Sequence, residues 1–161
     1  MPVSLSQLLL RSARAYPRRA ALAVGDRVVA DYATLAARVA AIAGGMRGRH
    51  GLRENDRVAL VMKNCTQYVE LLFACWHAGL AAVPVNAKLH PRELEFILED
   101  SGAGVCFVTG DLASSVAPLA GRVATLAHVI DAQGPEYEAL ARAEPVAPAE
   151  RDASDITWSL P

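Results

Sequence analysis

Four short apolar runs set the strongest limit on what this chain can fold into. They begin near Arg57 (RVALVM), Ala81 (AAVPV), Gly104 (GVCFVT) and Ala127 (AHVID), spaced about 23 residues apart. Each is long enough for a buried strand and too short for a buried helix. The stretches between them read as helices. Asn64, a good N-cap residue, precedes TQYVELLFACWHA, and Gly79 suits the C′ position after it. Pro91 opens a second helix that turns Leu94, Ile97 and Leu98 inward and ends at Ser101-Gly102. A third covers residues 111–121 and is interrupted by Pro118. Strand, helix, strand at this spacing requires right-handed βαβ crossovers and hence a parallel sheet.

The first fifty residues prepare that unit. SLSQLLLRSARAYP predicts an amphipathic helix with Ser4 as N-cap, Gln7 completing a capping box, and Leu5, Leu8 and Leu9 on one side. Its Arg-rich, acid-free composition is also that of a presequence, but the chain continues without a cleavage-like break. AALAV and RVVA flank Gly25-Asp26, a hairpin turn signal. Asp31 then caps a helix carrying Leu35, Val39, Ile42 and Met46, which Gly48 and Gly51 are expected to end. The fold class is α/β: a mostly parallel sheet with βαβ crossovers and helices on both faces, preceded by a helix and a β-hairpin. Residues 1–142 read as this α/β subdomain. The aperiodic, Ala-, Pro- and acid-rich stretch 143–155 reads as a surface linker, and 156–161 as the start of a next strand.

Composition narrows the function classes. With 16 Lys+Arg against 17 Asp+Glu, the chain lacks the basic excess of a dedicated nucleic-acid binder. No apolar run reaches the length of a membrane span, so a soluble protein is expected. Residues 1–50 hold eight Arg against two Asp, a charge of +6; residues 101–161 hold three Arg against eight acids, a charge of −5. These ends read as solvated surface, or as faces for an acidic partner or a neighbouring domain. Cys65, Cys75 and Cys106 lack CxxC spacing and read as reduced, buried thiols of a cytoplasmic protein. Only Lys63 and Lys88 are lysine; that Arg bias, with abundant Ala, points to a GC-rich bacterial source.

The residues taken singly carry no catalytic constellation. There is no GxGxxG, no GxxxxGK[ST] and no GxSxG. Cys75 and His77 stand at i and i+2, so on a helix they diverge. His50, His90 and His128 are isolated in turns or at a strand end, and Glu95 with Glu99 forms an exposed acidic face. Asn64 stands where open α/β sheets bind ligands, although capping accounts for it without one. No catalytic, cofactor-binding or metal-ligating residue is assigned.

In order and spacing, however, the segments resemble a known family. Tyr32 with Leu35, Gly51-Leu52 with Asp56-Arg57-Val58-Ala59-Leu60, Asn64 before a helix, Ala78-Gly79 with Val83-Pro84-Val85-Asn86, and Glu93-Leu94, Ile97-Leu98 and Asp100-Ser101 together resemble the N-terminal region of the AMP-forming acyl-CoA synthetases. The resemblance covers nearly the whole chain and places it in the large N-terminal domain of an adenylate-forming enzyme. It implies activation of a carboxylic acid, by default a medium- or long-chain fatty acid, with ATP and Mg²⁺ to an acyl-adenylate, then transfer to coenzyme A. In that family a Ser/Thr/Gly-rich phosphate loop follows a strand like Asp155-Ile156-Thr157-Trp158, where this sequence stops. The expectation is therefore a truncated N-terminal fragment, inactive alone, that associates through exposed surface or as a homodimer. The alternative is a stand-alone non-catalytic interaction or scaffold module.

Overall fold

The computed structural model describes residues 4–151. Helix α1 spans Ser6–Ala15 and is followed by a hairpin of β1 (Ala20–Val24) and β2 (Arg27–Asp31). Gly25 takes φ +58° at the first turn position and Val24 faces Arg27, a two-residue turn that glycine can adopt without strain. Helix α2 (Tyr32–Arg49) starts where Asp31 Oδ1 accepts the Thr34 N–H at 2.8 Å, and Leu35, Val39, Ile42 and Met46 are all buried. Three expectations fail here. The capping box at Ser4 does not form, because Leu5 already has helical dihedrals and is itself the N-cap; the Ser4 hydroxyl pairs with that of Ser6 instead. Leu8 is half exposed rather than inward, and Gly48 lies within α2 rather than ending it.

The four apolar runs become β3 (Arg57–Val61), β4 (Ala81–Val85), β5 (Val105–Val108) and β6 (His128–Asp131), all parallel in the order β4-β3-β5-β6. Helix α3 (Thr66–Ala78) links β3 to β4 and ends at Gly79, where φ is +76° and the Leu80 N–H reaches back to the Cys75 carbonyl at 2.8 Å. Helix α4 (Pro91–Ser101) links β4 to β5. His90, read as an isolated turn residue, caps it: its Nδ1 accepts the Arg92 N–H, and its own N–H donates to Glu93 Oε2 at 2.8 Å. As Pro118 predicts, residues 110–121 break into short turns around α5 (Ala113–Val116).

Pleating divides the core. Val58, Leu60, Val105 and Phe107 point to the face covered by α2 and α3. Ala59, Val61, Val83, Cys106 and Val108 point to the face covered by α4 and α5. The sheet is thus covered on both sides, as its near-continuous apolar strands require.

Beyond β6 the structure adds what periodicity did not show. Helix α6 (Pro135–Leu140) returns to the α2 side, burying Tyr137 and Leu140. Residues 143–151 have no regular structure, as their composition implies, yet they are docked. The Val146 N–H donates to the Ala40 carbonyl at 3.2 Å and the Ala149 N–H to the His77 carbonyl at 2.8 Å. Gly44 and Gly45 permit this approach: a Cβ at Gly44 would lie 1.9 Å from the Glu144 carbonyl oxygen, and one at Gly45 2.7 Å from Leu140. The strand expected at 156–161 lies outside the described residues.

Candidate functional site at the carboxyl edge of the sheet

Strand order alone points to one place. β3 leads into α3 on one face, whereas β5 leads into α5 on the other, so the chain diverges between their carboxyl ends. Open α/β sheets bind ligands at such a switch point. Here Lys63, just past β3, reaches across it to an ion pair with Asp111, just past β5. The Lys63 backbone N–H also donates to Thr109 Oγ1 at 3.4 Å. That Lys63 bond holds the Asp111 carboxyl below the usual carboxylate range. The crevice between β3 and β5 is thereby bridged by the chain's own charges.

The open part of the edge lies on the other side of β3. A cleft of about 520 Å³ is lined by Met62, Lys63, Asn64, Tyr68, Pro84, Val85, Asn86, Ala87 and Lys88. Its lining is apolar apart from Lys63, Asn64, Tyr68, Asn86 and Lys88, with the Lys63 ammonium held by Asp111. Register explains the convergence: Val61 faces Val85, so the residues just beyond each strand meet although they are far apart in sequence. The Lys88 N–H donates to Asn86 Oδ1 at 3.0 Å, which fixes the turn after β4. The Lys88 ammonium has no ion-pair partner among the described residues. Tyr68 is half-buried, and burial raises its phenol.

Asn64 therefore serves differently from its reading as a helix cap. Cys65, with extended dihedrals, is the N-cap of α3 and makes no side-chain cap bond; Asn64 is exposed and lines the cleft. The other candidates are structural. Burial pushes the Cys75 thiol up to about 12, far from a nucleophile. His77 is buried and its Nε2 donates to the Val146 carbonyl at 2.8 Å, tying α3 to the docked tail. Burial lowers His77, so the ring stays neutral and Nε2 carries the proton that this bond needs. Glu95 contacts Arg122 at 3.6 Å on the far side of the sheet. Among the described residues no group of three or more His, Cys, Asp or Glu side chains comes together to hold a metal ion. Nor is any described helix long and apolar enough to cross a membrane.

What the arrangement offers chemically is recognition. A cationic and amide-lined rim at the carboxyl edge suits an anionic group, and no nucleophile and base are paired there.

Comparison with known proteins bears on the family and the fold. Residues 9–158 match the model of a family described as AMP-binding enzyme. The chain is 43% identical over 111 residues to a feruloyl-CoA synthase from Amycolatopsis sp, covering 69% of this chain and 22% of that protein. It is 37% identical over 113 residues to a long-chain-fatty-acid–CoA ligase from Haemophilus influenzae, covering 70% of this chain and 20% of that protein. The chain thus spans about a fifth of the length of the curated relatives it matches. Among solved structures, the N-terminal domain of FACL13 from Mycobacterium tuberculosis superposes with a TM-score of 0.84 at 27% identity, covering 97% of this chain and 41% of that one.

Proposed function

This chain belongs to the AMP-binding enzyme family, and from that premise we propose that it is the N-terminal segment of an AMP-forming acyl-CoA synthetase, a cytoplasmic acid–thiol ligase. The chemistry sets what such a protein must supply. A carboxylate is a poor electrophile. Its oxygen attacks the α-phosphorus of ATP, pyrophosphate leaves, and the acyl carbon now carries AMP as a good leaving group. The thiol of coenzyme A then attacks that carbon, AMP departs, and the thiol proton is given up to base. Both reactants besides the acid are polyphosphorylated, so fixed cationic and amide donors are the main requirement.

The observation that carries the reading is the placement of both lysines on one cleft, one neutralised by Asp111 and the other without an ion-pair partner among the described residues. Lys88, with the carboxamides of Asn64 and Asn86, receives a phosphate of ATP or coenzyme A. Lys63 closes the neighbouring crevice and keeps the rim in place. Mg²⁺, which the family resemblance implies, finds no cluster of ligands among the described residues. The acid is a fatty acid, in line with the long-chain relatives. An aromatic acid is the second reading, favoured by the 43% identity to a feruloyl-CoA synthase. Alone, the 161-residue chain performs recognition without turnover.

Two measurements test this together: calorimetric titration with ATP, AMP and coenzyme A, and ATP–pyrophosphate exchange over a panel of acids. Expected are heat with a phosphate ligand, weaker at high salt as screening sets in, several-fold less in Lys88→Gln, and no exchange. Exchange by the 161-residue chain overturns the claim of inactivity. Absence of heat with every phosphate ligand overturns the role of the cleft and leaves the scaffold reading in its place.

A further inference from the structure

The basic excess of the first fifty residues has no part in the cleft, and the fold places most of it where α1 meets the hairpin. Arg11 and Arg14 stand on the exposed side of α1, away from buried Leu9. Arg18 and Arg19 link that helix to β1, and Arg27 follows the hairpin turn; all five are exposed. None of them makes an ion pair among the described residues. Two acids share these fifty residues. Asp26 lies in the turn, and Asp31 accepts the Thr34 N–H, with Arg18 acting on it through charge alone. Arg19 lies over the exposed ring of Tyr16 at 4.8 Å, not beside a carboxylate.

Apolar side chains stand among these guanidinium groups. Leu8, one turn before Arg11, is more than half exposed, as are Val24 and Val28, and Val29 is nearly so. The hairpin register is the cause. Leu22 faces Ala30 and both are buried, whereas Ala23 faces Val28. The shift between those two pairs leaves Val29 as the extra residue of a bulge, so two successive valines stay outside. Apolar residues scattered singly over a surface are ordinary; three valines around one two-residue turn are not. Shallow apolar grooves flank the hairpin. One of about 210 Å³ runs between Leu8 and Ala21 over Phe73, and one of about 300 Å³ between Val24 and Thr66. Val69 lines both, so α1, the hairpin and α3 present one continuous face.

We infer that this face docks the protein on an anionic lipid bilayer, with the arginines on lipid phosphates and Val24, Val28 and Val29 inserted among the upper acyl carbons. Interfacial binding draws on two terms, apolar area and attraction to anionic head groups, and both are present here. Guanidinium matches phosphate through paired N–H donors, and tyrosine suits the head-group level with its amphipathic ring. An acidic protein would answer the arginines alone, since valines that protrude around a turn need a pocket of matching shape. A bilayer moulds to them. Asn64 borders the second groove as well as the carboxyl-edge cleft, so docking sets the mouth of that cleft beside the membrane. Docking of this kind holds whether or not the cleft takes a phosphate.

Flotation of the 161-residue chain with vesicles tests the assignment, using phosphatidylcholine alone and equal parts phosphatidylcholine and phosphatidylglycerol. Immobilised polyglutamate serves as an acidic surface without an apolar phase. The chain should float with the anionic vesicles and not the neutral ones, and less so as salt rises from about 0.05 M to about 0.5 M. Arg14→Gln and Arg27→Gln should each weaken binding about fivefold, while Arg14→Lys and Arg27→Lys, which keep the charge, retain most of it. Val24→Ser combined with Val28→Ser should weaken vesicle binding and leave any retention on polyglutamate unchanged. All these variants should unfold close to the native midpoint, because the side chains removed have no partner to lose. No flotation with anionic vesicles, equal flotation with neutral ones, or vesicle binding untouched by the paired valine substitutions overturns the docking. Retention on polyglutamate as strong as on anionic vesicles overturns it too, in favour of an acidic protein.

Discussion

Arg38 and Lys88 are both cations beside the same sheet, and the molecule uses them in opposite ways. Arg38 reaches from α2 to α3 and grips Glu70 through Nε at 2.7 Å and Nη2 at 3.2 Å, with a further contact to Glu138 of α6 at 3.3 Å. Tyr137 adds its hydroxyl to Glu70 Oε2 at 2.5 Å. Glu70 is 5% exposed, and its bonds come from two other elements, α2 and α6. Glu70 holds the guanidinium above its ordinary range and, after burial as the larger cause, raises the Tyr137 phenol. Lys88 stands on an exposed turn at the mouth of a cleft and has no such partner among the described residues. Charge that is answered by the chain itself fixes helices; charge left open at a sheet's carboxyl edge is available to a ligand. The difference lies in partners and burial, not in residue type.

If that contrast holds, substitutions in the two groups should separate stability from binding. The largest stability loss belongs to Arg38→Leu, which strands a buried carboxylate: about 3 kcal/mol in urea unfolding. Gly44→Ala comes next. Alanine is ordinarily worth up to about 1 kcal/mol over glycine inside a helix, but here its methyl meets the Glu144 carbonyl, and a net loss of about 2 kcal/mol is expected. A gain in stability would show that the 143–151 segment lifts away freely. Tyr137→Phe removes one bond to Glu70 and should cost about 1 kcal/mol. Lys88→Gln should leave the unfolding midpoint where it is and act on ligand heats alone; a stability loss comparable to Arg38→Leu would erase the distinction.

Much of the fold was legible because parallel strands buried on both faces announce themselves as short apolar runs, and because Asp31, Gly79 and Pro91 are local signals with local causes. Helix α6 has no periodic signal although Gly134-Pro135-Glu136 carries the Pro-at-N1 signature; six residues are too few for a period to show. Docking of 143–151 was illegible for a different reason: its hydrogen bonds run to α2 and α3 and leave no pattern in its own sequence. Asn64 reads as a cap because capping preferences are local, whereas the extended backbone of Cys65 sets where α3 begins. Nothing local marks Lys63 and Lys88 as neighbours. The parallel register of β3 and β4, which follows from the βαβ pattern, is the signal that brings them together.

The most direct test of the account is a map of where a phosphate ligand lands. Coenzyme A and ATP, titrated in turn into the ¹⁵N-labelled 161-residue chain, should shift the backbone resonances of residues 63–68 and 86–88 and leave α2 and α6 in place, and Lys88→Gln should remove those shifts. Shifts centred elsewhere, or the same shifts in Lys88→Gln, would contradict it.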